Sequence, residues 1–284
     1  MPGDLRGLGG LDSGLECLRA DLHIHTALSP CAESEMTPAA IMEEACRKGI
    51  KLVGIADHNS AENAIACLRA GARHGVCVLP GMEVQTLEEI HVLTFFGSIE
   101  GLITWQEEVY AHLPAELNRE EFLGEQLILG EEGEVTGKCS RLLLTSTDLS
   151  LAEVVRKVRE LGGLPIPAHI DRPSYSLIRN LGFVPPGLPV AALELSPHIS
   201  REEACRRFPW VRDFPLIASS DAHRLHEMQG RTVAYIRADL GGEIPGPASG
   251  GGDPGARGEA PAALFDEVAL CLAGRGGRFV DIVS

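Results

Sequence analysis

The sequence predicts an α/β fold, a parallel sheet with helices packed outside it. Three observations predict this. Short apolar runs of strand length alternate with segments of helical pattern through most of the chain. A length of 284 residues exceeds the usual single domain but suits one α/β barrel. Nearly every predicted strand is followed by an imidazole or a carboxylate, and in a barrel of parallel strands those ends meet on one face.

The elements follow in order. Residues 1–18 are Gly-rich and read as a loose tail, leaving residues 19–284 as one domain. "ADLHIHT" reads as a strand. Thr37 then caps a helix with Pro38 at its first position and Gly49 just past its end. "KLVGIA" is a buried strand, and Ser60 opens a second helix that closes near Gly75. "VCVLP" and "IHVLTFF" are strands. Ser150 with Glu153, and Ser200 with Glu203, have the spacing of capping boxes, and their helices alternate with the strands "LPIPA", "AALEL" and "PLIAS". Two stretches break the rhythm. Residues 106–148 form an acidic insertion containing "QLILGEEGEVTG", which reads as a small hairpin. Residues 241–259 are too rich in Gly and Pro to pack and read as a flexible loop. One more helix, about 261–274, and the strand "RFVDIVS" complete the domain.

Composition narrows the function. Hydrophobic residues make up 44% and charged residues 23%, ordinary values for a globular enzyme. The net charge of -15 argues against tight binding to long nucleic acid, which needs clustered Lys and Arg, but not against a small anionic substrate near bound cations. The eight cysteines are scattered without a CxxC pair, so no disulfide framework is expected. The N-terminus lacks the pattern of a signal peptide and no apolar run has membrane-spanning length, so a cytoplasmic location is expected.

In "DLHIHT", strand alternation puts Asp21, His23 and His25 on one face and Leu22 and Ile24 on the other. Two imidazoles at i and i+2 can grip one metal, though two structural histidines would look the same. The following motifs decide between them. "IADHN" places Asp57 and His58 where a strand ends, and "PGMEV" places Glu83 just after the next. "EIHVL" sets His91 at the start of another strand, while "IPAHIDRP" sets His169 at a strand end. "ASSDAH" does the same for Asp221 and His223. The mixture of nitrogen and oxygen donors suits zinc, manganese or iron better than calcium.

This ordered set, "DLHIHT", "ADHN", "GMEV" with "IHVL", "PAH" and "SSDAH", resembles the PHP (polymerase and histidinol phosphatase) family over roughly residues 20–240. The resemblance implies a distorted (β/α)7 TIM-like barrel with a cluster of two or three divalent metals at the C-terminal ends of its strands. It implies that His23, His25, Glu83 and Asp221 hold the first metal. Glu83 would bridge to a second held by His91 and His169, and His58 and His223 would hold a third. Family members often carry a histidine where this chain has Cys31, eight residues after His23. A thiolate there would bias the third site toward zinc or ferrous iron; the alternative is an ordinary loop cysteine beside a vacant site. Asp21 and Asp57 are expected to accept hydrogen bonds from ligating imidazoles. Arg172, and less directly Arg231, are candidates to hold a substrate phosphate.

The resulting expectation is a phosphoric ester hydrolase acting on a small phosphate ester, such as a nucleotide, through a hydroxide bridging two metals. Two rivals stand beside it. One is a C–N bond hydrolase on a similar metal-bearing barrel. The other is a metal-loaded regulatory protein without turnover, against which the complete ligand set argues.

Overall fold

The computed structural model describes residues 15–237 and 262–283. The Gly/Pro-rich stretch 241–259 and residues 1–14 of the expected tail lie outside the described residues. Residues 15–18 are not tail: they open a ten-residue strand, β1 (Leu15–Ile24). After it come α1 (Pro38–Lys48), β2 (Leu52–Ile55), α2 (Ala64–His74), β3 (Cys77–Gln85) and β4 (His91–Phe95). Next are α3 (Ile99–Ala111), α4 (Glu120–Leu123), β5 (Leu127–Leu129), β6 (Val135–Lys138), α5 (Leu151–Glu160) and β7 (Leu164–Pro167). The chain continues through α6 (Leu177–Asn180), β8 (Leu193–Leu195), α7 (Arg201–Arg207), β9 (Leu216–Ala218), β10 (Thr232–Arg237), α8 (Ala262–Leu272) and β11 (Phe279–Ile282).

Local chemistry explains the helix ends. The Thr37 side chain accepts from the Ala40 amide, Pro38 fills the first turn, and Gly49 adopts φ 68 at the C-terminus. Ser150 and Glu153 form a reciprocal capping box on α5. Ser60 does not open α2, which starts four residues later after Asn63. Its hydroxyl instead bonds the Tyr110 phenol at 2.7 Å. The acidic insertion does contain a hairpin, β5 with β6, but its first residues belong to α3.

Seven strands form one curled sheet in the order β11-β10-β1-β2-β3-β4-β7, and β8 and β9 form a parallel pair. That pair joins the two sides of the curl. Ala191 donates to Pro165 O at 2.8 Å and Ile170 to Glu194 O at 2.9 Å, while His25 N donates to Ala222 O at 3.0 Å just beyond β9. The sheet is not wholly parallel as expected. Strand β4 runs antiparallel to both β3 and β7. Only residues 86–90 separate β3 from β4, too few for a crossover helix, so the chain turns back as a hairpin.

A second irregularity lies in β1. Its parallel register with β2 pairs Asp21 with Val53 but Ile24 with Ile55, so β1 carries an extra residue between them. The consequence shows in the packing. Leu18, Ala20 and Leu22 belong to the apolar cluster with Leu79, Phe95, Ile166 and Ile217. Ile24 instead packs with Ile41, Met42 and Val53 in the cluster that includes residues of α1 and α2. Leu22 and Ile24 therefore do not share a face, and strict alternation fails at the motif. Gly54 lies against this bulge: a Cβ there would sit 2.6 Å from Leu22 O. Among the described residues no helix is long and apolar enough to cross a membrane.

Candidate metal centre

The hairpin and the bulge decide where the polar side chains go. Strand β4 runs opposite to β3, so His91 at its start lies beside Gln85 at the end of β3. Strand β7 in turn brings Ala168 and His169 next to His91, with Ala168 N donating to His91 O at 2.9 Å. A residue at a strand start thus joins residues at strand ends. The bulge turns His23 toward the same place, and its Nε2 stands 3.1 Å from Nε2 of His25.

Around these two nitrogens the donors close in. Asp221 Oδ1 is 3.1 Å from His25 Nε2 and 3.3 Å from His23 Nε2. Glu83 Oε1 is 3.3 Å from His23 Nε2, 2.9 Å from His91 Nδ1 and 3.2 Å from His169 Nε2. Its other oxygen, Oε2, lies 2.9 Å from His58 Nδ1 and 3.7 Å from His25 Nε2. Four donors set tetrahedrally about 2.0–2.1 Å from one cation stand roughly 3.3 Å apart, so the first group has the spacing of a ligand shell. Three sets could each hold an ion: His23, His25 and Asp221; His58, Glu83 and His91; and His25, His58 and His223. His58 therefore belongs with Glu83 and His91 as well as with His223, a more shared arrangement than three separate sites.

Hydrogen bonds behind the rings show what the front nitrogens offer. His23 Nδ1 lies 3.0 Å from Glu194 Oε2, and His25 Nδ1 lies 2.9 Å from Ser29 Oγ. The Ser29 hydroxyl donates to Asp57 Oδ1 at 2.7 Å, so it accepts the His25 proton. Both Nε2 atoms then aim lone pairs at the same space as two carboxylate oxygens, which calls for a cation. His169 Nδ1 and Glu194 Oε1 are buried without a hydrogen-bond partner, and Glu83 Oε2 and His91 Nδ1, for all their short contacts, make no well-aligned hydrogen bond. The residues fit a divalent metal cluster.

Residues 21–161 match the sequence model of the PHP domain. The chain is a PHP-domain protein. It is 32% identical over 78 residues to the PolC-type DNA polymerase III of Oceanobacillus iheyensis, a match covering 28% of this chain and 5% of the polymerase. An uncharacterized protein of Methanocaldococcus jannaschii is 28% identical over 160 residues, 54% of this chain and 67% of that one. In structure the chain is similar to the lesion-specific endonuclease PfuEndoQ of Pyrococcus furiosus, with a TM-score of 0.60 at 20% identity. That likeness covers 93% of this chain but 58% of the endonuclease.

Charge in this PHP centre is arranged around its carboxylates. Burial works against the charged forms of Glu83 and Asp221, yet the surrounding imidazoles hold both well below the usual carboxylate range. Burial also opposes a charge on His23, but Glu194, Asp221 and Glu83 outweigh it and raise its pKa well above the ordinary value. His25 is pushed well down by burial and by neighbouring His223 and His58. His91 falls to about 4, again mainly through burial.

Cys31 stands where the third group opens to solvent. The residue is exposed and lies outside the three donor sets, but the nearby His223 and His58 imidazoles outweigh the burial of its thiol and lower its pKa to about 7. His58, although burial opposes its charge, rises to about 10 against Cys31 and Glu83. A pocket of about 370 Å³ adjoins this edge, lined by Cys31, Arg172, His198, Asp221, His223 and Arg224 among others. Arg172 Nη1 meets Asp221 Oδ2 at 2.5 Å, a pairing with a candidate ligand, not a remote surface bridge.

Three expected contacts are corrected. Asp21 touches no imidazole: it accepts from the Ser220 amide and hydroxyl and from the Gln229 amide at 2.7–3.0 Å. The bulge puts it on the other side of the strand from His23. Asp57 accepts from Thr26 and Ser29 and reaches His25 only through the Ser29 hydroxyl. Arg231 directs its guanidinium at the Ser196 and Ile199 carbonyls at 3.4–3.5 Å, bracing a loop instead of facing the pocket.

The sequence reading missed Glu194, which takes the role assigned to those aspartates. Its local signal was a charged residue between two leucines in a short buried strand. It also missed Tyr175, whose ring stacks on His91 at 4.9 Å and whose carbonyl accepts the His91 amide at 3.1 Å. His169, Tyr175 and Asp221 all have positive φ (27, 52 and 54), conformations costly for residues with a Cβ and retained where surroundings impose them.

Proposed function

We propose that this protein is a metal-dependent phosphoesterase that hydrolyses a small phosphate ester, a nucleotide among the candidates. One observation carries the proposal: three donor groups linked through His25 and His58, with Glu83 set against five imidazoles, open beside a pocket whose wall includes Arg172. In this reading His23, His25, Glu83 and Asp221 hold a first metal, and Glu83, His91 and His169 a second. His58 and His223, with Cys31, hold a third. The donors suit zinc, manganese or iron. Such ions supply an acidified water and offset charge on the phosphoryl oxygens. The chain's own residues do the rest. Glu194 and Ser29 keep the Nε2 lone pairs of His23 and His25 aimed inward. Arg172, at the pocket edge, turns from Asp221 to a non-bridging phosphoryl oxygen when substrate arrives.

A pocket of about 370 Å³ is at the small end for ligand sites and favours a compact ester. The net charge of -15 disfavours an extended polyanion in the same way. A nucleic-acid substrate remains the second reading, because the endonuclease Q fold has been solved with a 27-mer duplex carrying an abasic lesion at its active site. The deciding experiment is a hydrolysis screen with added Mn²⁺ over nucleotides, sugar phosphates and an abasic duplex, run beside elemental analysis of the purified protein. Phosphate release from a small ester supports the proposal. Cleavage of the duplex alone, or release of ammonia from amide substrates without phosphate, overturns it.

A further inference from the structure

Glu194 sits in the middle of β8, 1% exposed. One of its oxygens, Oε2, serves two partners from different motifs. It lies 3.0 Å from His23 Nδ1 and accepts the main-chain N–H of His169 at 2.9 Å. The main chain adds a third link, Ile170 N to Glu194 O at 2.9 Å. The other oxygen, Oε1, is buried without a partner. His23 is in the first donor group and His169 faces Glu83 at the second.

We infer that Glu194 is a positioning residue that sets His23 and His169 together, so that the first and second metal groups are filled or lost as a unit. The inference rests on the metal-centre reading above. The chemistry is specific to a carboxylate. It fixes the proton of His23 on Nδ1, which leaves Nε2 free to ligate, and it raises the basicity of that nitrogen. The same oxygen holds the His169 backbone at φ 27, a conformation the residue would otherwise leave, taking its ring away from Glu83. A carboxylate that merely satisfied a buried amide would need no second contact to an imidazole.

Glu194→Gln keeps size and shape but removes the charge, leaving one neutral amide oxygen, a weaker acceptor than a carboxylate oxygen, to serve both donors. The measurement is Mn²⁺ binding to the full-length, metal-stripped protein by calorimetry, with elemental analysis after dialysis. Circular dichroism monitors the fold. His223→Ala serves as the control, expected to lose one ion and keep the others. For Glu194→Gln the expected result is a folded protein in which two ions bind on the order of 10–100-fold more weakly, in parallel. In nuclear magnetic resonance spectra of the metal-free protein, the ring nitrogens of His23 should also shift. Binding within twofold of wild type, or loss of a single ion, overturns the inference. If Glu194→Gln yields no folded protein, Glu194→Asp replaces it. That variant keeps the charge on a shorter stem, is expected to bind more weakly, and overturns the inference if it binds as wild type does. A wild-type protein that binds no divalent ion would overturn the metal-centre reading itself, a distinct result.

Discussion

Substituting one methyl group at Gly54 should disable a site that Gly54 does not touch. A Cβ at this position would lie 2.6 Å from the carbonyl oxygen of Leu22 and 2.8 Å from its carbon, both backbone atoms that no rotamer change can move aside. Even a close C–H···O contact keeps carbon and oxygen about 3.3 Å apart, so Gly54→Ala must drive β1 and β2 apart by roughly 0.7 Å. The displaced segment is the bulge between Asp21 and Ile24, which turns His23 inward. Overpacking of this kind costs about 1–3 kcal/mol, and backbone involvement places this case near the upper end. For a chain of this size that corresponds to a fall in Tm of about 5 °C or more. Metal donors tolerate about 0.2 Å of misplacement, so the variant should also bind Mn²⁺ or Zn²⁺ at least tenfold more weakly while remaining folded below its Tm. Differential scanning calorimetry of the metal-free protein gives the first quantity and metal titration at 20–25 °C the second. A Gly54→Ala variant with unchanged Tm and unchanged affinity would show that the bulge is not held by this close approach. A lowered Tm with normal affinity would show that the bulge does not aim His23.

Three further outcomes are expected. Glu83→Gln should cut turnover on the order of a hundredfold or more and lose at least one ion, because the carboxylate faces five imidazoles; near wild-type metal content and rate would remove Glu83 from the shared position. Cys31→Ser should lower metal content with the fold intact, and in the wild type a chelator should make Cys31 more reactive toward alkylation; equal metal stoichiometry in the two proteins would make it a loop residue. Arg172→Ala should raise KM for the phosphate ester on the order of tenfold or more at unchanged metal content, as expected for losing a charged hydrogen bond; a fall in metal content instead would mean that Arg172 serves Asp221 and not the substrate.

Much of this architecture was legible because its signals are local. Thr37, Pro38 and Gly49 bound α1, and Ser150 with Glu153 start α5, since caps act within one turn of the residues that supply them. Strand direction was less legible. A run such as "IHVLTFF" has the same pattern whichever way it pairs, and the five-residue connection before it was the one available sign of a hairpin. The bulge left no pattern either. Leu22 and Ile24 look alike in the sequence, yet one packs with Phe95 and Ile217 and the other with Ile41 and Met42.

The same distinction separates the candidate ligands from the residues that aim them. Imidazoles and carboxylates at the ends of apolar runs are conspicuous because burying them there is costly without a partner. His23, His25, His58, Glu83, His91, His169 and Asp221 were found on that basis, and the structure brings them together. The aiming groups are ordinary in type and remote in sequence. Glu194 is 171 residues from His23, and Ser29 reads as a loop serine until His25, His58 and Asp57 close around it. Asp21 and Asp57 were assigned the aiming role because they stand next to the histidines in the chain, but proximity along a strand is poor evidence of contact. Neighbouring side chains point to opposite faces, and a single extra residue reverses which face each one takes. At Asp21 that reversal sends the carboxylate to Ser220 and Gln229, where it anchors the loop that carries Asp221. The aspartate therefore still bears on the candidate metal centre, through the placement of a candidate donor instead of the orientation of a ring.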